Sequence, residues 1–168
     1  MTKNVIGPVV GFFLLVSGTL AQAAALDCEL ATRTEGMGGT LIGDGVRSIR
    51  FPFASPADSV ARCFVEDPAS ALPGTFLSEL NLQGFTLESG QGKADPNVGV
   101  VACFKALDQD RVEVSLFGLW KGDGEIQATD RQVFGREGTD GTYPPLAFAL
   151  YPSDFDRAFS SVSLICFP

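Results

Sequence analysis

The chain has 168 residues, with 20 acidic and 12 basic side chains and no histidine, so its formal net charge is −8. An acidic surface repels phosphate backbones, which disfavours nucleic-acid binding and permits a basic protein as partner. The absence of histidine excludes Ser-His-Asp and Cys-His catalysis and any histidine-ligated metal. We therefore expect a protein without cofactor or metal that is more readily a binding or structural module than an enzyme.

The first 25 residues have the order of a secretory signal peptide. Lys3 precedes the uncharged apolar run Val9–Val16, and the small residues that follow offer cleavage after Ala23 or Ala25. A basic, an apolar and a small-residue region in this order predict export. A retained membrane anchor fits less well, because glycine, proline and polar residues interrupt the stretch and no later segment is long and apolar enough to span a bilayer.

We predict residues 1–25 as the signal peptide and residues 26–168 as a single exported domain, periplasmic or secreted. The signal contains one basic side chain and no acid, so the remaining 143 residues carry 11 basic and 20 acidic side chains and a net charge of −9. A chain of this size buries a substantial core and folds as one domain. After cleavage we expect no membrane span.

Four cysteines are spread over nearly the whole exported part, without a Cys-x-x-Cys pair. In an oxidising compartment they are expected to form disulfides. Four cysteines allow three pairings, and the sequence does not choose among them. We favour Cys28–Cys166, which would tie the chain ends together, and Cys63–Cys103, which would join a predicted helix to a strand. Phenylalanine follows three of the four, a pattern more typical of a core than of a redox-active thiol.

The first half of the exported chain predicts strands, a loop and two helices. Leu26–Thr32 is a plausible strand, the glycine-rich stretch Thr34–Gly45 is expected to be a loop, and alternation at Ile49–Phe53 predicts a short strand, at an edge because Pro52 lacks a backbone donor. A helix is predicted to begin at Ser55-Pro56-Ala57-Asp58 and to end near Asp67. Its apolar face would hold Ala57, Val60, Ala61 and Phe64. A second helix is predicted over Thr75–Gln83, stopped by Gly84.

The second half is dominated by predicted strands. A short strand at Phe85–Leu87 precedes the polar loop Ser89–Asn97. The long strands are expected at Val98–Ala106, Arg111–Trp120 and Leu146–Tyr151, and the turn Lys121–Gly124 returns the chain into Glu125–Phe134. Gly135–Pro145 is expected to be a loop. A third helix is predicted from Ser153, with Phe155, Ala158, Phe159 and Val162 on one face, followed by a short strand at Leu164–Phe167.

These elements together predict an α+β fold. A mostly antiparallel sheet would carry two or three short helices on one side and would be stapled by disulfides. The alternative is an all-β sandwich, in which the segments predicted as helices are edge strands.

Pairs of acidic residues are the only catalytic candidates. Asp108 with Asp110, Asp123 with Glu125, and Asp154 with Asp156 lie where turns and helix starts normally collect acids, so a structural role is favoured for each. A carboxylate-dependent hydrolase stays as an alternative. The spacing Asp108-x-Asp110-x-x-Glu113 offers oxygen ligands for calcium but lacks the glycine and the later glutamate of an EF-hand loop.

Aromatic and charged side chains near loop ends form the candidate interaction surface: Trp120, Lys121, Asp123, Tyr143 and Tyr151. The segment Leu119-Trp120-Lys121-Gly122-Asp123-Gly124-Glu125 resembles the Trp-x-Lys-Gly-Asp-Glu segment of periplasmic C-type lysozyme inhibitors, which are small exported β proteins with a disulfide. The resemblance is confined to this segment, and the family's preceding Ser-Gly-x-x-Tyr is not found before Trp120. It implies inhibition of a cationic cell-wall hydrolase as an alternative to a non-catalytic binding or structural module.

Overall fold

A computed structural model describes residues 25–52, 61–65, 73–108, 110–121, 126–128, 131–135, 143–152 and 158–167. Within these ranges the chain forms eleven strands and one helix. In chain order they are β1 Ala25–Gly36, β2 Leu41–Pro52, β3 Ala61–Val65, α1 Gly74–Leu82, β4 Thr86–Ser89, β5 Gln91–Lys93, β6 Val98–Ala106, β7 Arg111–Trp120, β8 Ile126–Ala128, β9 Gln132–Gly135, β10 Leu146–Leu150 and β11 Ala158–Phe167.

The strands form two sheets. Sheet A has the strand order β10-β11-β1-β2-β5, and all its neighbours are antiparallel. Sheet B has the order β4-β3-β6-β7-β8, and β9 also pairs with β7. Its strands are antiparallel except for the parallel pair β3–β4. The chain crosses between the sheets several times, so some pairings, such as β1–β11 and β3–β6, join strands that are distant in sequence.

The inner faces of the two sheets share the main hydrophobic core. In β1 the buried residues alternate with exposed ones, as a strand with one covered face requires. The largest buried side chains from the two sheets meet directly, since the rings of Phe51 and Phe104 are stacked with centroids 5.3 Å apart. Phe64 contacts Phe104 edge-on at 5.6 Å. The arrangement is a β-sandwich, in which each sheet contributes one apolar face to the shared core.

Helix α1 provides a third layer on the outer face of sheet B. Its Leu80 is 2% exposed and packs in a second core with Cys63, Val65, Val101 and Cys103. Phe76 of the helix meets Phe117 of β7 with ring centroids 5.3 Å apart. The central strand β6 is therefore covered on both faces, which explains why almost every one of its residues is buried.

The expected α+β class is wrong, and the structure is an all-β fold with one helix among the described residues. The segments predicted to lie in the first and third helices are strands where they are described, at β3 and β11. Neither is an edge strand, since β3 lies between β4 and β6 and β11 between β10 and β1. Their short apolar runs fit a helix face as well as a strand, and distant strand pairing decides between the two. The helix starts at Ser55 and Ser153 lie outside the described residues.

Other local predictions divide in the same way. The middle helix is confirmed at Gly74–Leu82, and the strands Val98–Ala106 and Arg111–Trp120 are confirmed at the predicted bounds. The predicted loop Thr34–Gly45 is confirmed only over residues 37–40 and is wrong at both ends, because β1 runs to Gly36 and β2 begins at Leu41. Pro52 was predicted to lie at an edge. In the structure β2 pairs with β5 only at Val46–Ser48, so at Pro52 no described strand pairs with the side of β2 that faces away from β1.

No helix found in the described ranges has the length and apolar character of a membrane span. Of the predicted signal peptide, only Ala25 falls within those ranges, as the first residue of β1.

Candidate functional site

Two disulfides link strands that pair directly. Cys28 bonds Cys166 between β1 and β11, and Cys63 bonds Cys103 between β3 and β6. These are the pairings that the sequence analysis favoured, although the second joins two strands and not a helix to a strand. All four sulfur-bearing residues are buried. Their burial and their position in the two cores give them a structural role in this fold.

The candidate interaction residues do not converge. Trp120 is half-buried against the main core, and Lys121 beside it donates a hydrogen bond from Nζ to the Asp95 carbonyl at 2.7 Å. Tyr143 is buried near the opposite end of β7, where its hydroxyl donates to the Gly135 carbonyl and its ring stacks on Phe134 at 4.7 Å. Burial raises the pKa of the Tyr143 hydroxyl.

The remaining two candidates differ in what the structure shows. Tyr151 is exposed and lies 6.4 Å from the ring of Phe159. Asp123 lies outside the described residues.

Of the acidic pairs, only Asp108 and Asp110 are described, and they form a turn. The backbone N–H of Asp110 donates to Asp108 Oδ1 at 2.9 Å, and Arg111 Nε donates to Asp108 Oδ2 at 2.7 Å. These two contacts hold the pKa of Asp108 below its ordinary value, the Asp110 hydrogen bond being the larger cause. Glu113, the third residue of the calcium spacing, lies 3.6 Å from Arg131. The described ranges contain no group of three or more metal-ligating side chains.

A buried carboxylate that the sequence analysis did not single out holds the segment between β5 and β6 against β1. Asp95 is 1% exposed and lies between β5 of sheet A and β6 of sheet B. Its Oδ2 accepts a hydrogen bond from Thr34 Oγ1 at 2.9 Å, and its Oδ1 accepts one from the Asn97 backbone N–H at 2.8 Å. The hydroxyl oxygens of Thr34 and Ser160 also lie within hydrogen-bond distance, 3.0 Å apart.

Two glycines make room for this buried segment. A Cβ on Gly43 would lie 2.6 Å from Asp95 Oδ1, and a Cβ on Gly45 would lie 2.8 Å from the Asp95 backbone nitrogen. Glycine inside a strand is typical of such a close backbone approach. Gly43 and Gly45, two of the glycines that suggested a loop, are therefore strand residues on which another segment packs.

The outer surface of sheet A, which we call the bare face, carries the side chains of β1, β2, β10 and β11 that point away from the core. Apolar side chains stay well exposed there: Val46 is 46% exposed, Phe159 38%, Ile165 37% and Phe167 43%. Single exposed apolar residues are ordinary, whereas a group of them on one sheet surface marks an interaction site. In the described part of the chain the only helix lies on the other sheet.

The bare face is organised in five cross-strand rows that the strand register defines. They are Arg50–Asp27–Phe167, Ser48–Glu29–Ile165, Val46–Ala31–Ser163–Ala147, Asp44–Arg33–Ser161–Ala149 and Leu41–Glu35–Phe159. The middle strand β1 thus contributes a charged stripe, and the apolar side chains of β2 and β11 flank it.

Most charges of the bare face are paired within the chain. Arg33 lies 2.7 Å from Glu35, and Arg50 lies 3.7 Å from Asp27. Lys93 at the edge pairs with Asp44. Glu29 is exposed and forms no ion pair with any described residue. The face therefore combines apolar groups, satisfied ion pairs and one acid that remains available to a partner.

A concave region continues from one end of the bare face around the edge of β2. Its volume is about 670 Å³, and it is bordered by bare-face residues such as Asp27, Glu29 and Arg50 and by the corner Glu88–Gln91. Beyond Ser48 no described strand pairs with this edge of β2. The surface is thus extended at this end, and a partner would reach both the face and the strand edge.

Comparisons of the chain with protein-family models, with curated protein sequences and with solved structures give no significant match.

Proposed function

We propose that this chain is an exported, disulfide-stapled β-sandwich that acts as a non-catalytic binding module and engages its partner through the bare face. The observation that carries the proposal is the difference between the two outer surfaces. The centre of sheet B is covered by α1, whereas sheet A presents Val46, Phe159, Ile165 and Phe167 to solvent beside a charged stripe. Exposed apolar side chains rimmed by charges are typical of a protein-binding surface.

Export is supported by the order of the first 25 residues and by two disulfides, which persist in oxidising compartments. The proposal accordingly takes residues 1–25 as a cleaved signal and residues 26–168 as the domain that acts in the periplasm or outside the cell. A reporter fused behind residues 1–25 tests this step, because export requires it to appear outside the cytoplasm in shortened form.

A binding role is supported by the structural contacts of two carboxylates, Asp95 and Asp108. The Asp95 carboxylate accepts hydrogen bonds inside the sandwich, and the Asp108 carboxylate closes a turn. A hydrolase that uses two carboxylates needs them to face each other in a cleft, with the pKa of one of them raised. Inhibition of a cationic hydrolase stays a prediction, since Asp123 of the segment that suggested it lies outside the described residues.

The bare face is tested by capture with matched variants. Wild type, an I165E variant on the bare face and a V133E variant on β9 are immobilised and exposed to periplasm or culture medium that also contains the free chain. Val133 is 53% exposed and lies on sheet B, so it controls for the added charge. A protein retained by wild type and V133E, but not by I165E, supports the proposal. Equal retention by all three, or retention of nothing, overturns it.

A further inference from the structure

We infer that the partner of the bare face is a second copy of this chain, packed face to face with the two β1 strands antiparallel. The inference rests on the proposed function and adds the identity of the partner. A two-fold axis would run across the strands, along the central row Val46–Ala31–Ser163–Ala147. In this arrangement each strand lies over the same strand of the other copy, in the opposite direction.

The central row permits this approach because most of its side chains are short. Ala31, Ser163 and Ala147 lie side by side on three neighbouring strands. Stacked sheets come within about 10 Å of each other, and small residues on the axis let two identical surfaces meet at that distance. A bulky or charged row at this position would meet its own copy and keep the sheets apart.

The charges next to the axis are complementary in this orientation. Glu29 and Arg33 lie on β1, two residues on either side of Ala31, so the axis brings Glu29 of each copy opposite Arg33 of the other. Both side chains are exposed, and Glu29 forms no ion pair with any described residue of its own chain. An axis along the strands would instead place Glu29 against Glu29, and like charges in contact disfavour that orientation.

The outer rows fit the same orientation. Phe159 and Phe167 lie in the two end rows of β11, so each faces the other residue in the second copy. Aromatic pairs of this kind add to the free energy of association. Asp27 also comes opposite Glu35, but Arg50 and Arg33 already neutralise these two acids within each copy.

The area is sufficient for association. With strands about 4.8 Å apart and a rise of about 3.4 Å per residue, the positions of the five rows cover about 550 Å² per copy, or about 1,100 Å² in total. Stable protein interfaces bury about 1,200–2,000 Å² in total, so the bare face lies just below that range, among weak and transient interfaces. A dimer that dissociates on dilution is therefore expected, and not a permanent one.

A charge-swap series measured by sedimentation velocity over a range of concentrations tests the inference. Wild type is expected to show a concentration-dependent dimer. The E29R variant puts a cation opposite Arg33 and is expected to weaken the dimer at least about tenfold, which corresponds to about 1.4 kcal/mol. The E29R/R33E double variant restores opposite charges across the axis and is expected to recover part of the affinity, since it also removes the Arg33–Glu35 ion pair. E79R, on the exposed side of α1, is the control with the same charge change and is expected to match wild type.

The inference is contradicted if wild type sediments as a monomer at every concentration, or if E29R dimerises as well as wild type. It is also contradicted if the double variant dimerises as weakly as E29R. Thermal unfolding of each variant shows that loss of the dimer is not loss of the fold. A monomeric wild type whose I165E variant loses capture of a different protein overturns this inference and leaves the proposed function standing. Self-association that none of the bare-face variants alters overturns both.

Discussion

The two outer surfaces of the sandwich differ in what covers them. On sheet B, the helix residue Leu80 seals Val101 and the Cys63–Cys103 disulfide from solvent. On sheet A the corresponding surface carries exposed apolar side chains and an alternating charged stripe. Both surfaces belong to sheets of similar size, so the difference lies in the sequence of their strands and not in the architecture.

The strand sequences show how many faces are covered. In β6, residues Val98–Phe104 form a nearly unbroken apolar run, and a strand with two covered faces is expected to have such a run. In β1, Leu26, Cys28 and Leu30 alternate with Asp27 and Glu29, as expected for one covered face. The alternation of apolar and charged residues in β1 therefore indicates the bare face in the sequence. It also indicates that the outward side chains are adapted to water or to a partner that dissociates.

The largest expected effects on the free energy of unfolding come from removing the two disulfides, one beneath α1 and one in the main core. Removing Cys63–Cys103 with alanines opens a link between residues 40 positions apart, and removing Cys28–Cys166 opens one between residues 138 positions apart. The loop-entropy relation gives losses of about 4 and about 5 kcal/mol in the free energy of unfolding. Urea denaturation of the two double variants and wild type measures them. A larger loss for the 63–103 pair would show that helix packing over this disulfide, and not loop closure, determines its contribution.

A matched pair of truncations compares the two surfaces directly. Leu80→Ala, on the buried side of α1, is expected to lower the free energy of unfolding by about 3 kcal/mol, because it removes buried contacts and leaves a cavity. Ile165→Ala on the bare face is expected to change it by less than about 0.5 kcal/mol in the monomer. Denaturation at low protein concentration measures both. Equal losses would mean that Ile165 is buried in the monomer, which would remove the distinction between the surfaces.

The fold could be predicted from the sequence where periodicity is long and local. β6 and β7 have nine and ten residues with clear patterns, and both were located correctly. Only the end of β11, Leu164–Phe167, was predicted as a strand. Its first part was missed because Ala158, Phe159 and Val162 fit a helical face, while its pairing with β1 depends on residues more than a hundred positions away. Gly43 and Gly45 suggested a loop because the segment that packs on them, around Asp95, is also distant in sequence.

The site was harder to predict than the fold. The predicted interaction residues were chosen for their proximity to loop ends, and Trp120 and Tyr143 are instead used in packing. The bare face depends on which residues share a cross-strand row. The register that brings Glu29 beside Ser48 and Ile165 depends on the pairing of β1 with β2 and with the distant strand β11. The one usable signal was the alternation in Leu26–Leu30, which shows that one face of β1 is exposed but not what lies beside it.

Two acids sharpen the contrast between the interior and the bare face. Asp95→Asn replaces a charged buried acceptor with a neutral amide, so the hydrogen bonds from Thr34 and Asn97 lose their charge assistance, which is expected to cost about 1 kcal/mol. Glu29→Gln changes a solvated side chain and is expected to leave the free energy of unfolding nearly unchanged. Thermal or urea unfolding compares the two. An Asp95→Asn protein as stable as wild type would mean that the charge of Asp95 adds nothing to stability through its hydrogen bonds with Thr34 and Asn97.

The smallest expected effect belongs to Asp108, in the exposed turn that leads into β7. Hydrogen bonds from the Asp110 backbone and from Arg111 lower its pKa in the folded chain. A lowered pKa means that the stabilisation is present above the unfolded pKa of about 3.9 and is lost as the pH falls through the folded value. Wild type and Asp108→Asn should therefore differ in thermal midpoint at neutral pH and converge in strong acid. A difference that persisted in acid would have to come from the turn backbone, since the protonated carboxyl no longer carries the charge that Arg111 binds.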